Sequence, residues 1–252
     1  MQSFEKAHGI ENVCLVQVTT YGTDNTLIIK GLEEIRKQGG TPRGVAVIDP
    51  EKITDAELDE MHAVGIRGVR LNLITNGTYI ADDGWEALLK PYADRIRRLN
   101  WVLQLYMKIE VIEHLEHVIP SLDVDIVLDH VCSATNESRE RKEKGYSALL
   151  RLLRENKVYV KISGLYRLSN DPSFTDYGEL VKEVIVTGPQ RCVYASDWPH
   201  TDRPKDPADR LKVQENQKVD VAKFIKKCKE WCGSEEQIQK LFVDNPRALW
   251  RL

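Results

Sequence analysis

Two side chains in this 252-residue sequence could together activate a water molecule for attack on a carbonyl carbon. Asp197, in the segment YASDWPH, could take a proton from water as a general base, or cap the turn before Pro199. His130, at the end of VLDH, could polarise a carbonyl, bind a metal ion or hydrogen-bond a neighbour. As a pair, Asp197 and His130 favour hydrolytic chemistry and are the predicted catalytic residues.

Two arginines suggest that the substrate is an anion. Arg70 lies within the apolar run GVRLN, where a guanidinium is costly unless it meets an anion, and Arg167 follows KISGLY. Arginine suits bidentate binding of a carboxylate, although each could instead pair with a neighbouring Asp or Glu. Other polar side chains at the ends of apolar runs complete the predicted substrate-binding set with these arginines: Tyr106, Thr19, Tyr21, Asn72 and His200.

The sequence argues against several other functional classes. The sequence has no Gly-x-Ser-x-Gly nucleophile motif and no glycine-rich phosphate loop. Basic residues are scattered and the formal net charge is -3, which argues against nucleic-acid binding. An odd number of cysteines, five, indicates a reducing compartment. No signal peptide or membrane-length apolar run is visible, so we expect a cytoplasmic protein.

Seven short apolar runs are typical of strands covered on both faces in a parallel sheet. Helical patterns separate them; one begins at a predicted capping box of Thr54 and Glu57, and another is capped by Ser234. Residues 3–9 resemble the end of a helix that leads directly into the first run. The runs are Val13–Val18, Gly44–Ile48, Gly68–Asn72, Trp101–Tyr106, Asp125–His130, Val158–Ser163 and Cys192–Asp197.

Alternation of strand and helix predicts an α/β fold, either a closed barrel or an open doubly wound sheet. Polar residues recur at the carboxyl ends of the runs, which converge on one mouth in a barrel. The sequence therefore favours a TIM-like (β/α) barrel in a single domain, residues 1–252. Because only seven strands are predicted, the barrel should be incomplete or rearranged, with two strand edges to be covered.

Segments spread along the chain resemble the amidohydrolase-2 branch of the amidohydrolase superfamily, and within it the 2-pyrone-4,6-dicarboxylate lactonases. The most specific are SDWPH and DNPRALW, within YASDWPH and FVDNPRALW, and GVRLNL, VLDH and VKISGLYR lie between residues 68 and 167. The resemblance implies a distorted (β/α) barrel that hydrolyses a lactone. It also implies that Asp197 activates water and that His130 polarises the carbonyl. Arg70, Arg167 and Tyr106 would then bind the substrate, and Thr19 would contact it.

The sequence also departs from that family. The first strand, with its His-x-His pair, is missing, so the chain resembles a barrel truncated at the N-terminus. Tyr106 stands where metal-dependent relatives carry a metal-binding histidine, and Asn76 replaces a second arginine of the lactonases. Only His130 and Asp197 remain of the usual ligands, and two ligands do not make a hydrolytic zinc site. We therefore expect no metal and no cofactor.

The leading hypothesis is a metal-independent hydrolase of a small carboxylated lactone or cyclic ester, with Asp197 as the general base. One alternative is a related barrel used for decarboxylation or for a carbon–carbon or cyclisation step. Another is a degenerate barrel without catalysis. The expected partner is a small anionic substrate, with no nucleic acid and no membrane. We also expect a homo-oligomer, such as a dimer, that covers the exposed strand edges.

Overall fold

The computed structural model describes residues 2–74, 84–201, 212–213 and 215–252. Within these ranges, seven parallel strands pair in chain order into one sheet. All seven apolar runs form strands, as predicted from the sequence. The strands are β1 (Cys14–Val16), β2 (Arg43–Ala46), β3 (Ile66–Asn72), β4 (Val102–Tyr106), β5 (Ile126–Leu128), β6 (Val158–Ile162) and β7 (Cys192–Tyr194).

The helices that connect successive strands cover the outer face of the sheet. The predicted capping box is present, since Thr54 and Glu57 bond each other's backbone N–H groups at the start of a helix. Ser234 likewise accepts from the Gln237 backbone N–H. The helices are α1 (Gln2–His8), α2 (Thr26–Lys37), α3 (Asp55–Ala63), α4 (Gly84–Ile96), α5 (Ile112–Leu115), α6 (Asn136–Glu140), α7 (Lys144–Arg154), α8 (Gly178–Thr187), α9 (Val221–Cys232), α10 (Glu235–Gln239) and α11 (Asn245–Trp250).

The concave face of the sheet encloses an apolar layer at the amino ends of the strands. Side chains from five strands pack there around α11, whose Trp250 fills the base of the barrel. This packing against one indole shows that the sheet curves into an incomplete barrel. The members of this layer are Val45, Val102, Val127, Tyr159, Val193, Leu249 and Trp250.

Polar side chains replace this apolar layer farther along the same strands. Because side chains two residues apart in a strand share a face, Val102 is followed on the inner face by Gln104 and Tyr106. By the same alternation, Tyr159 is followed by Lys161 and then Ser163. The inner surface therefore changes from apolar at the amino ends to polar and charged at the carboxyl ends. This gradient places the chemistry-bearing residues at the mouth of the barrel.

Among the described residues, β1 and β7 are the two edges of the sheet and do not pair with each other. Helix α1, which ends before Gly9 as predicted, precedes β1 and also contacts the segment after β7. The Phe4 and Trp198 rings lie 5.5 Å apart between centroids. Helix α1 therefore lies beside the gap between the edge strands. No helix in the described part of the chain is long and apolar enough to cross a membrane.

Candidate active site

Asp197 lies just past β7, with its side chain 23% exposed at the mouth of the barrel. Its Oδ2 accepts from the Tyr166 hydroxyl at 2.7 Å and from Arg167 Nε at 2.9 Å. The other oxygen, Oδ1, lies 3.9 Å from His130 Nε2. The turn before Pro199 is closed instead by the Asp197 backbone carbonyl, which accepts from the His200 N–H. The carboxylate is thus held through one oxygen, and the other faces His130.

His130 is buried directly after β5, and its ring is fixed on two sides. Its Nδ1 lies 2.9 Å from the Ser163 hydroxyl, so Nε2 is the nitrogen that faces Asp197. Gly164 packs against the ring, and a Cβ at this position would lie 2.4 Å from Nδ1. Burial lowers the pKa of the His130 imidazole, although the Asp129 and Asp197 carboxylates oppose this effect. The imidazole is therefore neutral at neutral pH.

The backbone at both residues is unusual. His130 has φ 52°, and Val131, Cys132 and Ser133 after it also have positive φ. Asp197 has φ 57°. Non-glycine residues in this left-handed region are strained, and such strain concentrates at functional sites. These turns bring the two predicted catalytic side chains together although they lie 67 positions apart in the sequence.

Tyr106, at the end of β4, connects His130 to Arg70. Its ring packs edge-on against the imidazole, with 5.0 Å between centroids. On the other side, the Arg70 guanidinium lies 5.3 Å from the same ring centroid. Arg70, Tyr106, His130, Asp197 and Arg167 therefore form a continuous series of contacts across the mouth.

Beneath Arg70 lies a buried ionic network. Asp129 accepts from Arg70 Nε at 2.9 Å, and its other oxygen lies 3.2 Å from Lys161 Nζ. Gln104 joins the two, because its Nε2 donates to both Asp129 oxygens at 2.9 Å while its Oε1 accepts from Lys161 at 2.7 Å. Burial alone would raise the pKa of the Asp129 carboxyl, but Lys161 and Arg70 outweigh it and keep that pKa well below its usual range.

Both predicted anion-binding arginines are thus paired with carboxylates of this chain, the alternative noted for each from the sequence. Each uses Nε for that pair, which leaves part of the guanidinium for other partners. In Arg70, Nη1 donates to Thr19 Oγ1 at 3.1 Å, and no hydrogen bond from Nη2 to another described residue is present. In Arg167, Nη2 lies 3.5 Å from Thr201 Oγ1. These guanidinium nitrogens remain able to bind a substrate anion.

The other predicted binding residues lie at different depths. Thr19 and Asn72 belong to the site, since Thr19 Oγ1 accepts from Asn72 Nδ2 at 2.9 Å as well as from Arg70. His200 is buried behind Tyr166, edge-on to its ring at 5.4 Å. Tyr21 is 49% exposed, and its hydroxyl bonds no other member of the set within the described residues.

Several members of the site were not predicted from the sequence. Tyr166 was missed although it precedes Arg167 in the segment that suggested the family. The sequence does indicate Gln104 and Lys161. Each is a polar residue in an otherwise apolar strand, two positions before a residue at the mouth of the barrel, so it lies on the same face of the strand. Asp129 and Ser163 also lie at strand ends, and only the folded contacts show which residues they support.

The described side chains do not fit a hydrolytic metal centre. Among them, no group of three or more His, Cys, Asp or Glu residues lies close enough to hold a metal ion. His130 and Asp197 are the two possible ligands at the mouth, and Asp197 Oδ2 already accepts two hydrogen bonds. Catalytic zinc sites use three protein ligands and keep one position open. We therefore derive no catalytic step through a metal.

The chain is similar to known proteins over nearly its whole length. The amidohydrolase family model (Amidohydro_2) matches residues 4–252. A 2-pyrone-4,6-dicarboxylate hydrolase of Comamonas testosteroni is 28% identical over 254 residues, which cover 96% of this chain and 76% of the relative. A 4-sulfomuconolactone hydrolase of Hydrogenophaga intermedia is 25% identical, over 97% of this chain and 76% of the relative.

A solved structure shows the same architecture. It comes from Pseudomonas putida and carries the name 2-pyrone-4,6-dicarboxylic acid hydrolase as a provisional assignment. It superposes with a TM-score of 0.79 and 28% sequence identity, covering 100% of this chain and 87% of that one. The fold and the family resemblance predicted from the sequence are thereby confirmed.

Proposed function

Since this chain belongs to the amidohydrolase family, we propose that it hydrolyses the ring ester bond of a small carboxylated lactone. The observation that carries the proposal is the pair formed by Asp197 and His130 at the mouth of the barrel, 3.9 Å apart. The named activities of the relatives from Comamonas testosteroni and Hydrogenophaga intermedia, both lactone hydrolases, support the same reaction class.

In the proposed reaction, Asp197 is the general base. Its Oδ1 takes a proton from water, and the resulting hydroxide attacks the lactone carbonyl carbon. Tyr166 and Arg167 both donate to Oδ2, so they leave Oδ1 as the oxygen that receives the proton. Collapse of the tetrahedral intermediate breaks the ring C–O bond, and the Asp197 proton passes to the released ring oxygen.

His130 polarises the carbonyl. A Ser163 hydroxyl that donates to Nδ1 fixes the tautomer in which Nε2 carries the proton, so Nε2 donates to the developing oxyanion. We assign the Tyr106 hydroxyl as a second donor to the oxyanion, and the edge-on packing of its ring against the same imidazole supports this role. A neutral imidazole suits this role, since it donates a hydrogen bond without competing with Asp197 for the proton.

The arginines bind the substrate carboxylate. Arg70 and Arg167 lie at opposite ends of the contact series, and each retains guanidinium N–H groups beyond the one that holds its internal carboxylate. A carboxylate bound by either arginine would orient the lactone ring over His130 and Asp197. Orientation of this kind converts binding energy into rate, so both turnover and affinity depend on it.

The proposal is tested by turnover of purified protein on a panel of pyrone and furanone lactones with and without a carboxylate. Ring opening, followed as loss of lactone absorbance and release of acid, supports the proposal. Release of carbon dioxide without ring opening would instead favour a decarboxylase. Binding of the carboxylated lactones with no product of any kind would favour the non-catalytic barrel.

We expect lactone hydrolysis to be independent of metal ions, because His130 and Asp197 are too few ligands for a hydrolytic site. Treatment with EDTA followed by gel filtration should leave kcat and KM unchanged. Elemental analysis should find less than stoichiometric zinc or manganese. Stoichiometric metal together with loss of activity on chelation, restored by adding the ion back, would contradict this expectation.

We expect the activity to persist below the ordinary histidine pKa of 6.5. Burial lowers the His130 pKa, so the imidazole stays neutral at a pH where an exposed histidine is already protonated. As pH falls further, protonation turns His130 into a cation beside Lys161 and Arg167, and activity is lost. A profile of kcat/KM against pH should be level between pH 6.5 and 8, and a fall centred above 6.5 would contradict this assignment.

Two expectations from the sequence stay predictions. The first is a cytoplasmic location. The second is a homo-oligomer that covers the edges of β1 and β7.

A further inference from the structure

We propose that the substrate carries a single negative charge, so that a monocarboxylate lactone is preferred over a dianionic one. This inference rests on the proposed lactone hydrolysis and adds a substrate class to it. It follows from the charge balance at the mouth and from the partners that its cations already have.

Three cations and two carboxylates are in contact at and below the mouth. Arg167 pairs with Asp197 at 2.9 Å. Arg70 and Lys161 share the single carboxylate of Asp129, at 2.9 and 3.2 Å. With His130 neutral, these described residues leave one net positive charge.

Lys161 shares its carboxylate with Arg70 and lies in the buried network beneath that arginine. The side chain of Lys161 is 7% exposed, and it donates to Gln104 Oε1 within the network that supports Arg70. Its charge also reaches the His130 imidazole, where it disfavours protonation. The charge of Lys161 therefore attracts an anion at the mouth through a water-poor interior, where screening by solvent is weak.

A first substrate carboxylate, bound by the remaining N–H groups of Arg70 or of Arg167, balances the one net positive charge. A second carboxylate would meet no further uncompensated cation among these five groups. It would also lie near Asp129 and Asp197, and like charges that are brought together at a binding site oppose binding.

The two longer segments outside the described ranges contain more acidic than basic residues. The segments 75–83 and 202–211, which follow β3 and β7, contain three basic and five acidic residues. They are Arg203, Lys205 and Arg210, against Asp82, Asp83, Asp202, Asp206 and Asp209.

The test compares two planar ligands that cannot be hydrolysed and that differ in charge but hardly in shape. Isophthalate carries two carboxylates, whereas 3-carbamoylbenzoate replaces one of them with a neutral amide. Calorimetric titration of the wild-type protein at pH 7.5 should give at least about tenfold tighter binding of 3-carbamoylbenzoate. Equal or tighter binding of isophthalate would overturn the proposal, as would the failure of both ligands to bind.

A charge-matched pair of variants tests the origin of the preference. Lys161→Met removes the buried charge and leaves Asp129 paired with Arg70, so 3-carbamoylbenzoate binding should weaken by about threefold or more. Lys157→Met removes an exposed charge just before the same strand, and should leave binding unchanged. Unchanged affinity in Lys161→Met would show that the net charge does not set the preference.

Turnover separates this proposal from the proposed function. Hydrolysis of 2-pyrone-6-carboxylate with a higher kcat/KM than 2-pyrone-4,6-dicarboxylate supports both. Preferential binding of 3-carbamoylbenzoate with no hydrolysis of either pyrone would leave the charge preference standing and remove the lactonase. Faster hydrolysis of the dicarboxylate would support lactone hydrolysis and overturn the single-charge proposal.

Discussion

Replacing Asp197 with asparagine should lower kcat for lactone hydrolysis by about 10²–10⁴-fold, the usual effect of losing a general base. The amide keeps the shape of the carboxylate, and its oxygen can still accept from Tyr166 and Arg167. What it loses is the ability to take a proton from water. KM should change less than kcat, because the groups that bind the substrate carboxylate remain in place.

Kinetic and folding measurements, together with a control variant, test this prediction. Steady-state kinetics on the lactone that the wild type hydrolyses best gives kcat and KM, and circular dichroism with thermal unfolding shows that the variant is folded. Asp59→Asn makes the same chemical change at an exposed carboxylate of α3 and should keep the wild-type rate. Wild-type kcat in a folded Asp197→Asn protein would remove Asp197 as the base and leave the fold assignment intact.

The strands and several helix starts could be predicted because their signals are local. Strands covered on both faces consist of continuous apolar runs, and all seven runs form strands. The capping box at Thr54 needs only two residues that are three positions apart. The placement of polar residues at the carboxyl ends of strands follows from parallel topology, which brings those ends to one mouth.

The pairing of charges could not be read from the sequence. Arg70 hydrogen-bonds to Asp129, which lies 59 positions later in the chain, and Lys161 hydrogen-bonds to Gln104, which lies 57 positions earlier. Such contacts depend on the curvature of the sheet and on the register of its strands. The sequence could show that Arg70 needs an anion, but it could not show whether the substrate or a carboxylate of the protein supplies it.

The approach of His130 to Asp197 is a second feature that local patterns do not reveal. Each residue has a positive φ, a conformation that only glycine adopts without cost. His130 also needs Gly164, because any larger residue there would collide with its ring. Surrounding packing imposes these backbone conformations, so they can be identified only once the fold is known.

Replacing Asp129 with alanine should destabilise the protein by about 3–5 kcal/mol, because it leaves Arg70 and Lys161 buried without their carboxylate. Asp94→Ala is the matched control, since it removes an exposed carboxylate with two cationic partners and should cost about 1 kcal/mol or less. Urea unfolding at pH 7 measures both losses as changes in midpoint at constant slope.

A second substitution tests whether the cost comes from unpaired charge rather than from lost volume. In Asp129→Ala, adding Lys161→Met removes one of the two unpaired cations, so the double variant should be more stable than Asp129→Ala alone. In the wild type, Lys161→Met should be destabilising, because it breaks the contacts with Asp129 and Gln104. The two substitutions are therefore coupled, and a double-mutant cycle measures the coupling free energy. Additive losses would show that this network stabilises the barrel only by packing, and would remove the electrostatic basis for the position of Arg70.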